Sequence, residues 1–268
     1  MINYKKHRLK QFLTLNLRAL FMSNEERTNT QHDTMKIFKK TILMLAMIAP
    51  AVLCFAQPQV CSVSLTGKQL TIKDFARAYC SQFEAGSFER KALAAFNEGT
   101  HQSRGVGGCD DCVVDSKNGY VSFTTFIYGT GKTIENQESL EMCYWNCDNK
   151  NEKLVAVNHI NSSLGFDESF LTFYRYNVKT KKMRLIETPF DHMPQPIDLL
   201  DENNASRMTV DAVQNATGED SNGYQPFFQL PRTGTDISVR MSDTSAVPES
   251  QQVTCVMQWN GSGFNLKK

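Results

Sequence analysis

"CVVDSKNGYVSFTTFIY", residues 112–128, decides the fold class. Two β-prone runs flank Asn118-Gly119, a pair that accepts the positive φ angles of a tight hairpin turn. On either side the period is two, not the 3.6 of a helix. The same grammar returns twice. "SLEMCYWN" (139–146) and "KLVAVN" (153–158) flank "CDNKNE", and "SFLTFYRYN" (169–177) and "KMRLIE" (182–187) flank "VKTK". Later strands fit "YQPFFQL" (224–230), "DISVR" (236–240) and "QVTCVMQWN" (252–260), the last turning at Asn260-Gly261 into "GFNLKK". Trp145-Asn146, Tyr176-Asn177 and Trp259-Asn260 echo one another at strand ends. Propeller blades need a regular period of about 40 to 50 residues, which is missing, so an antiparallel meander is the expectation.

Ahead of the strands the period is helical. In "TIKDFARAYCSQF" (71–83), Ile72, Phe75, Ala76, Tyr79 and Phe83 share one face, and Thr71 with Asp74 reads as a start cap. In "SFERKALAAFNEG" (87–99), Ser87 caps, Phe88, Ala92, Ala95 and Phe96 face inward, and Gly99 stops the helix. The expected class is α+β, β-dominated, with N-terminal helices packed on antiparallel hairpins. From Thr188 to Ser221 the Pro-punctuated, polar sequence reads as a long surface loop, with "SDTSAVPESQQ" (242–252) a second soft segment.

Residues 35–56, "MKIFKKTILMLAMIAPAVLCFA", have a basic flank (Lys36, Lys39, Lys40), an uncharged run from Thr41 to Phe55 and a small-residue end. That is the pattern of a secretory signal peptide, and the run is shorter than the about 20 residues of a membrane span. Residues 1–34 read as an upstream lead, either preceding a true start at Met35 or a disordered extension. Ala51 and Leu53 stand in the wrong order for lipidation of Cys54. The segment 57–268 is then a single exported domain of 212 residues with 20 Lys/Arg against 25 Asp/Glu, a balance of −5. No basic face points to nucleic acid.

"CYWNCDNKNEKLVAVN", "FYRYNVKTKKMRLIE" and the terminal "WNGSGFNLKK" together resemble a pattern in uncharacterised exported proteins of Bacteroides-type bacteria. The resemblance covers the middle and end of the exported segment and rests on hairpins. It implies an envelope or secreted location and supplies no activity or site residues to carry over.

Export permits disulfides. Cys143 and Cys147 lie roughly 13 Å apart along one strand, too far to bond each other or share a zinc ion. Cys109 or Cys112 is therefore expected to bridge Cys143 or Cys147 across neighbouring strands. Seven exported cysteines leave at least one unpaired. A redox role for Cys109-x-x-Cys112 is disfavoured by Asp110 and Asp111, which raise thiol pKa, and by the β run that follows. "YGTGKT" (128–133) lacks the first glycine of a P-loop, Phe126 standing in its place, and reads as a turn. His101, His159 and His192 carry no hydrolase spacing, and Asp191-His192 lies in the long loop. Metal and cofactor are expected to be none.

Tyr144, Tyr174 and Tyr176, with Trp145, form a candidate aromatic stripe for a glycan or an envelope protein, the alternative being burial in a β core. Alternation puts Trp145 inward with Cys143 and Tyr144 outward. The expected function is non-enzymatic binding in the periplasm or envelope. The rival is a secreted, carbohydrate-active hydrolase using a carboxylate pair. A buried acid pair in a cleft favours the rival; a shallow aromatic surface favours binding.

Overall fold

Gly119 closes the first hairpin with φ +70°, and a Cβ there would sit 2.9 Å from the Tyr144 ring. Turn and packing both demand glycine. Asp115 ties the turn by accepting from Asn118 N at 3.2 Å and Nδ2 at 2.9 Å. The computed structural model describes residues 57–268 except 106–107, 129–133, 164–165, 217–223 and 243–245. The 1–34 lead, the 35–56 signal and residues 129–133 of "YGTGKT" lie outside the described residues.

An eight-stranded sheet contains β1 (Val60–Ser62), β2 (His101–Gly105), β3 (Gly108–Asp115), β4 (Tyr120–Tyr128), β5 (Ile134–Asn146), β6 (Glu152–Ser163), β7 (Phe166–Asn177) and β8 (Lys182–Ile186). Its order is β1-β8-β7-β6-β5-β4-β3-β2, every neighbour antiparallel. It is a meander from β2 to β8, with β1 added on the far edge. A four-stranded antiparallel sheet, ordered β12-β11-β10-β9, holds β9 (Pro226–Gln229), β10 (Ile237–Met241), β11 (Cys255–Trp259) and β12 (Phe264–Lys267). The class is α+β, β-dominated, and residues Pro58–Lys268 make one compact unit.

Both helices start where their caps lie. For α1 (Ile72–Cys80), the Asp74 carboxylate accepts from Thr71 N (2.8 Å), Thr71 Oγ1 (3.0 Å), Thr66 N (2.9 Å) and Thr66 Oγ1 (2.7 Å). For α2 (Phe88–Glu98), Ser87 Oγ accepts from Arg90 N at 3.2 Å, and Gly99 ends the helix at φ +103°. Phe75 of α1 meets Tyr144 and Tyr176 at 5.3 and 5.1 Å between ring centroids, and Tyr79 meets Tyr174 at 5.8 Å.

Alternation splits the large sheet between two cores. Leu140, Met142, Val155, Val157, Tyr174 and Tyr176 face the helices. Cys143, Trp145, Leu154, Ala156 and Phe173 face the small sheet. The result is three layers: helices, large sheet, small sheet. Trp145 anchors the second interface, donating from Nε1 to Thr235 O at 2.7 Å, stacking on Trp259 at 5.9 Å and meeting Phe264 edge-on at 5.1 Å. Burying such a side chain contributes about 1.5–3 kcal/mol.

The stretch from Thr188 to Ser221 is less irregular than its sequence implies. It holds a 3-10 turn, Pro196–Leu199, and α3 (Arg207–Asn215), which Ser206 caps by accepting from Thr209 N at 3.1 Å. Of α3 only Val213 is buried, so no apolar period announced it. Strands β1 and β2 were also unforeseen. β1 is three residues long, with Cys61 buried between exposed neighbours. Among the described residues no helix is long and apolar enough to cross a membrane.

Candidate functional site

Strand β9 is the edge of the small sheet, and its outward backbone groups are satisfied by side chains of the large one. Pairing with β10 uses one side of β9 and leaves the backbone N–H and C=O of Phe228, and the N–H of Leu230 just beyond the strand, turned to the large sheet. Ser169 Oγ accepts from Phe228 N at 2.9 Å, Asn158 Nδ2 donates to Phe228 O at 2.9 Å, and Glu141 Oε2 accepts from Leu230 N at 3.3 Å. An exposed edge that would otherwise recruit another strand is thus closed from within. Glu141 also accepts from Tyr120 Oη at 3.0 Å on Oε1 and from Asn158 Nδ2 at 3.2 Å on Oε2. Burial pushes its carboxyl above the ordinary carboxylate range, against the lowering pull of those hydrogen bonds.

Beyond this seam the large-sheet face turns polar. On one face of β5, Trp145 and Cys143 give way to Glu141, Ser139 and Gln137, and on β4 Tyr120 gives way to Ser122 and Thr124. The switch marks where the small sheet stops covering the large one. Between that polar half and the outer side of β9–β10 lies a half-open cleft of about 260 Å³. Its floor carries a relay in which Gln137 Nε2 donates to Ser139 Oγ at 3.3 Å and Ser139 Oγ to Thr124 Oγ1 at 2.9 Å. Ser122, Ser162 and Gln229 add neutral polar groups, and Ile160 and Phe227 add apolar surface. The Arg240 guanidinium lies 4.4 Å from the Phe227 ring centre and donates from Nη1 to Met241 O at 3.0 Å.

Glu141 and Asp167, 8% and 7% exposed, both line this cleft. Asp167 accepts from Ser162 Oγ on Oδ1 and from Ser242 Oγ on Oδ2 at 3.3 Å. Two buried acids in a cleft match the pattern set for a hydrolase, but both oxygens of each already accept hydrogen bonds. Sequence reasoning missed both residues. The one available signal was a run of same-face polar positions next to same-face apolar ones on β5.

The candidate stripe is not a surface, and the alternative, burial in the core, holds for Tyr174 and Tyr176. Tyr174 and Tyr176 are buried beneath α1, and Tyr144 is half-buried there, with Lys153 Nζ 5.2 Å from its ring centre. The reading assumed one covered face, whereas helices cover the face that Tyr144 shares and the small sheet covers the face of Trp145. The expected bridges from Cys109 or Cys112 to Cys143 or Cys147 are absent; all four thiols are free. The neighbour of β3 is β4, not β5, so two strand spacings, about 9.6 Å, separate β3 from β5. Cys112 faces the helices and Cys143 the small sheet. Cys109 stands opposite Phe126, and Phe126 opposite Gln137, six residues short of Cys143.

The histidines are engaged separately. His159 Nε2 lies 2.8 Å from Tyr79 Oη, His101 Nδ1 2.7 Å from Gly99 O, and exposed His192 pairs with Asp198 at 3.1 Å. Among the described residues no group of three or more His, Cys, Asp or Glu is placed to hold a metal ion. No family model, curated protein or solved structure matches the chain.

Proposed function

We propose that the chain is an exported envelope protein that binds, without processing it, a neutral polyhydroxylated ligand of saccharide type in the cleft beside β9. The observation that carries this reading is the lining. Beside Glu141, Asp167 and Arg240, whose charges are of both signs, the lining hydroxyls and amides both donate and accept, as sugar hydroxyls do, and Ile160 and Phe227 offer apolar surface to ring C–H groups. A volume of about nine waters suits one sugar ring. The acids act as fixed acceptors, Glu141 being committed to the seam with β9.

The export half of the proposal rests on residues 35–56 and the resemblance in the hairpins. N-terminal sequencing of envelope material is expected to begin near Gln57; a chain beginning at residue 1 contradicts it. The binding half is tested by calorimetry with neutral oligosaccharides. Thr124→Ala and Gln229→Ala, each losing a hydrogen bond of about 1 kcal/mol, are expected to weaken binding roughly fivefold. Wild-type protein that retains no saccharide overturns it.

A second reading, hydrolysis by Glu141 and Asp167, is favoured by one observation, their shared cleft.

A further inference from the structure

The hairpin of β7 and β8 reverses the charge of the domain. Residues 175–184, "RYNVKTKKMR", hold Arg175, Lys179, Lys181, Lys182 and Arg184 and no acid, within an exported segment whose balance is −5. Alternation along β8 puts Lys182 and Arg184 on one face, and the register sets Arg175 opposite Arg184 and Asn177 opposite Lys182. Like charges directly opposite on neighbouring strands repel. Arg175 is partly compensated, since Nη1 donates to Glu152 Oε2 at 3.2 Å, and Nη2 is fixed on Ser262 O at 3.4 Å. Among the described residues neither Lys182 nor Arg184 makes a side-chain hydrogen bond or ion pair. These cations, with Glu152, Asn177 and Thr180, line an open groove of about 410 Å³, separate from the polar cleft.

We propose that this groove binds a phosphate monoester carried on a larger molecule. Three cations against Glu152 leave two positive charges, and a phosphate monoester carries about −1.5 to −2 at pH 7. Arg184 and the pre-oriented Arg175 present planar donors that match phosphate oxygens, and Lys182 adds a point charge. The Thr180 hydroxyl and Asn177 amide serve the remaining oxygens. An anion placed between Arg175 and Arg184 turns a repulsive cross-strand pair into a clamp.

The test is calorimetry of the purified protein with glucose 6-phosphate and glucose, beside sedimentation with phosphatidylcholine vesicles containing phosphatidic acid. Expected are binding of a phosphate-bearing probe that weakens as salt rises, loss of about tenfold or more in Arg184→Gln and in Lys182→Gln, and a gain of several-fold in Glu152→Gln, all with unchanged melting temperature. Binding of the soluble ester identifies a soluble phosphorylated ligand; binding of the vesicles alone identifies a lipid headgroup. Either supports the site. Phosphate probes that bind wild-type and the Lys182→Gln, Arg184→Gln double variant alike, or no binding of either phosphate probe, overturns it; glucose, which the polar cleft is proposed to take, is the control for that cleft.

Discussion

The Tyr120 hydroxyl donates to Glu141 Oε1 at 3.0 Å, and Asn158, directly opposite Glu141 on β6, donates to Oε2 at 3.2 Å. With Leu230 N added, one side chain of the large sheet gathers three donors, one of them from the small sheet. Glu141→Ala leaves the Leu230 amide without its acceptor, and the expected cost is about 2–4 kcal/mol by urea denaturation. Glu141→Gln keeps an oxygen for Leu230 and Asn158 and turns its amide toward Tyr120 Oη, so it is expected to cost less than about 1 kcal/mol at pH 7. Equal losses in both variants contradict the seam.

Acid and base work in opposite directions on two buried carboxyls. Glu141, raised by burial, holds its proton longer in the folded state. Its stabilisation is present below the ordinary carboxylate pKa and is lost as pH rises toward the raised folded value. For Asp74, burial acts upward, but hydrogen bonds from Thr71 and Thr66 hold its carboxyl below the usual range. Its stabilisation is present above the unfolded pKa and is lost as pH falls through the folded one. Melting curves between pH 3 and 8 are expected to show Asp74→Asn flattening the acid limb and Glu141→Gln flattening the decline toward neutrality. The reverse assignment contradicts both environments.

Trp145 fills the space between the sheets, and Tyr144 lies half-buried on the other face. Trp145→Ala is expected to cost about 3–5 kcal/mol, and Tyr144→Ala clearly less. Tyr174 is fully buried, and its hydroxyl has no hydrogen-bond partner. Tyr174→Phe is therefore expected to be neutral or stabilising by up to about 1 kcal/mol. A large loss in Tyr174→Phe contradicts this packing.

Much of this architecture was legible because hairpins are local. Asn118-Gly119 and the "CDNKNE" and "VKTK" turns join strands adjacent in sequence, so periodicity and turn chemistry located them. What covers each face of the sheet depends on residues about 70 to 100 positions apart, such as Tyr79 with His159 or Trp145 with Thr235. No local pattern carries that. For Tyr174 and Tyr176 the sequence left a surface stripe open beside core burial, because the α1 residues that bury them lie far upstream. The cysteine pairing failed for a related reason: β4 comes between β3 and β5. The cleft was illegible because its walls come from two sheets, although the polar run Gln137, Ser139, Glu141 ahead of Cys143 and Trp145 marked its floor.

The thiols report on that strand order. Burial pushes Cys61 and Cys112 up to about 11 and Cys143 well above the ordinary thiol range. Cys109 is only partly buried, with Tyr128 Oη 3.1 Å from Sγ. At pH 8 a thiol reagent is expected to label Cys109 first, and the buried six only after unfolding. A peptide map showing Cys112 joined to Cys143 contradicts the order β3-β4-β5.

The chemical fate of a bound saccharide tests the central claim most directly. An oligosaccharide that the protein retains is incubated with it at pH 5 and pH 7, and its length is read by mass spectrometry. The account predicts an unchanged ligand at both pH values, with Glu141 serving the seam to β9 and Asp167 held by Ser162 and Ser242. Shortened products formed by the wild type and abolished in Glu141→Gln and Asp167→Asn would show that the cleft cuts rather than holds.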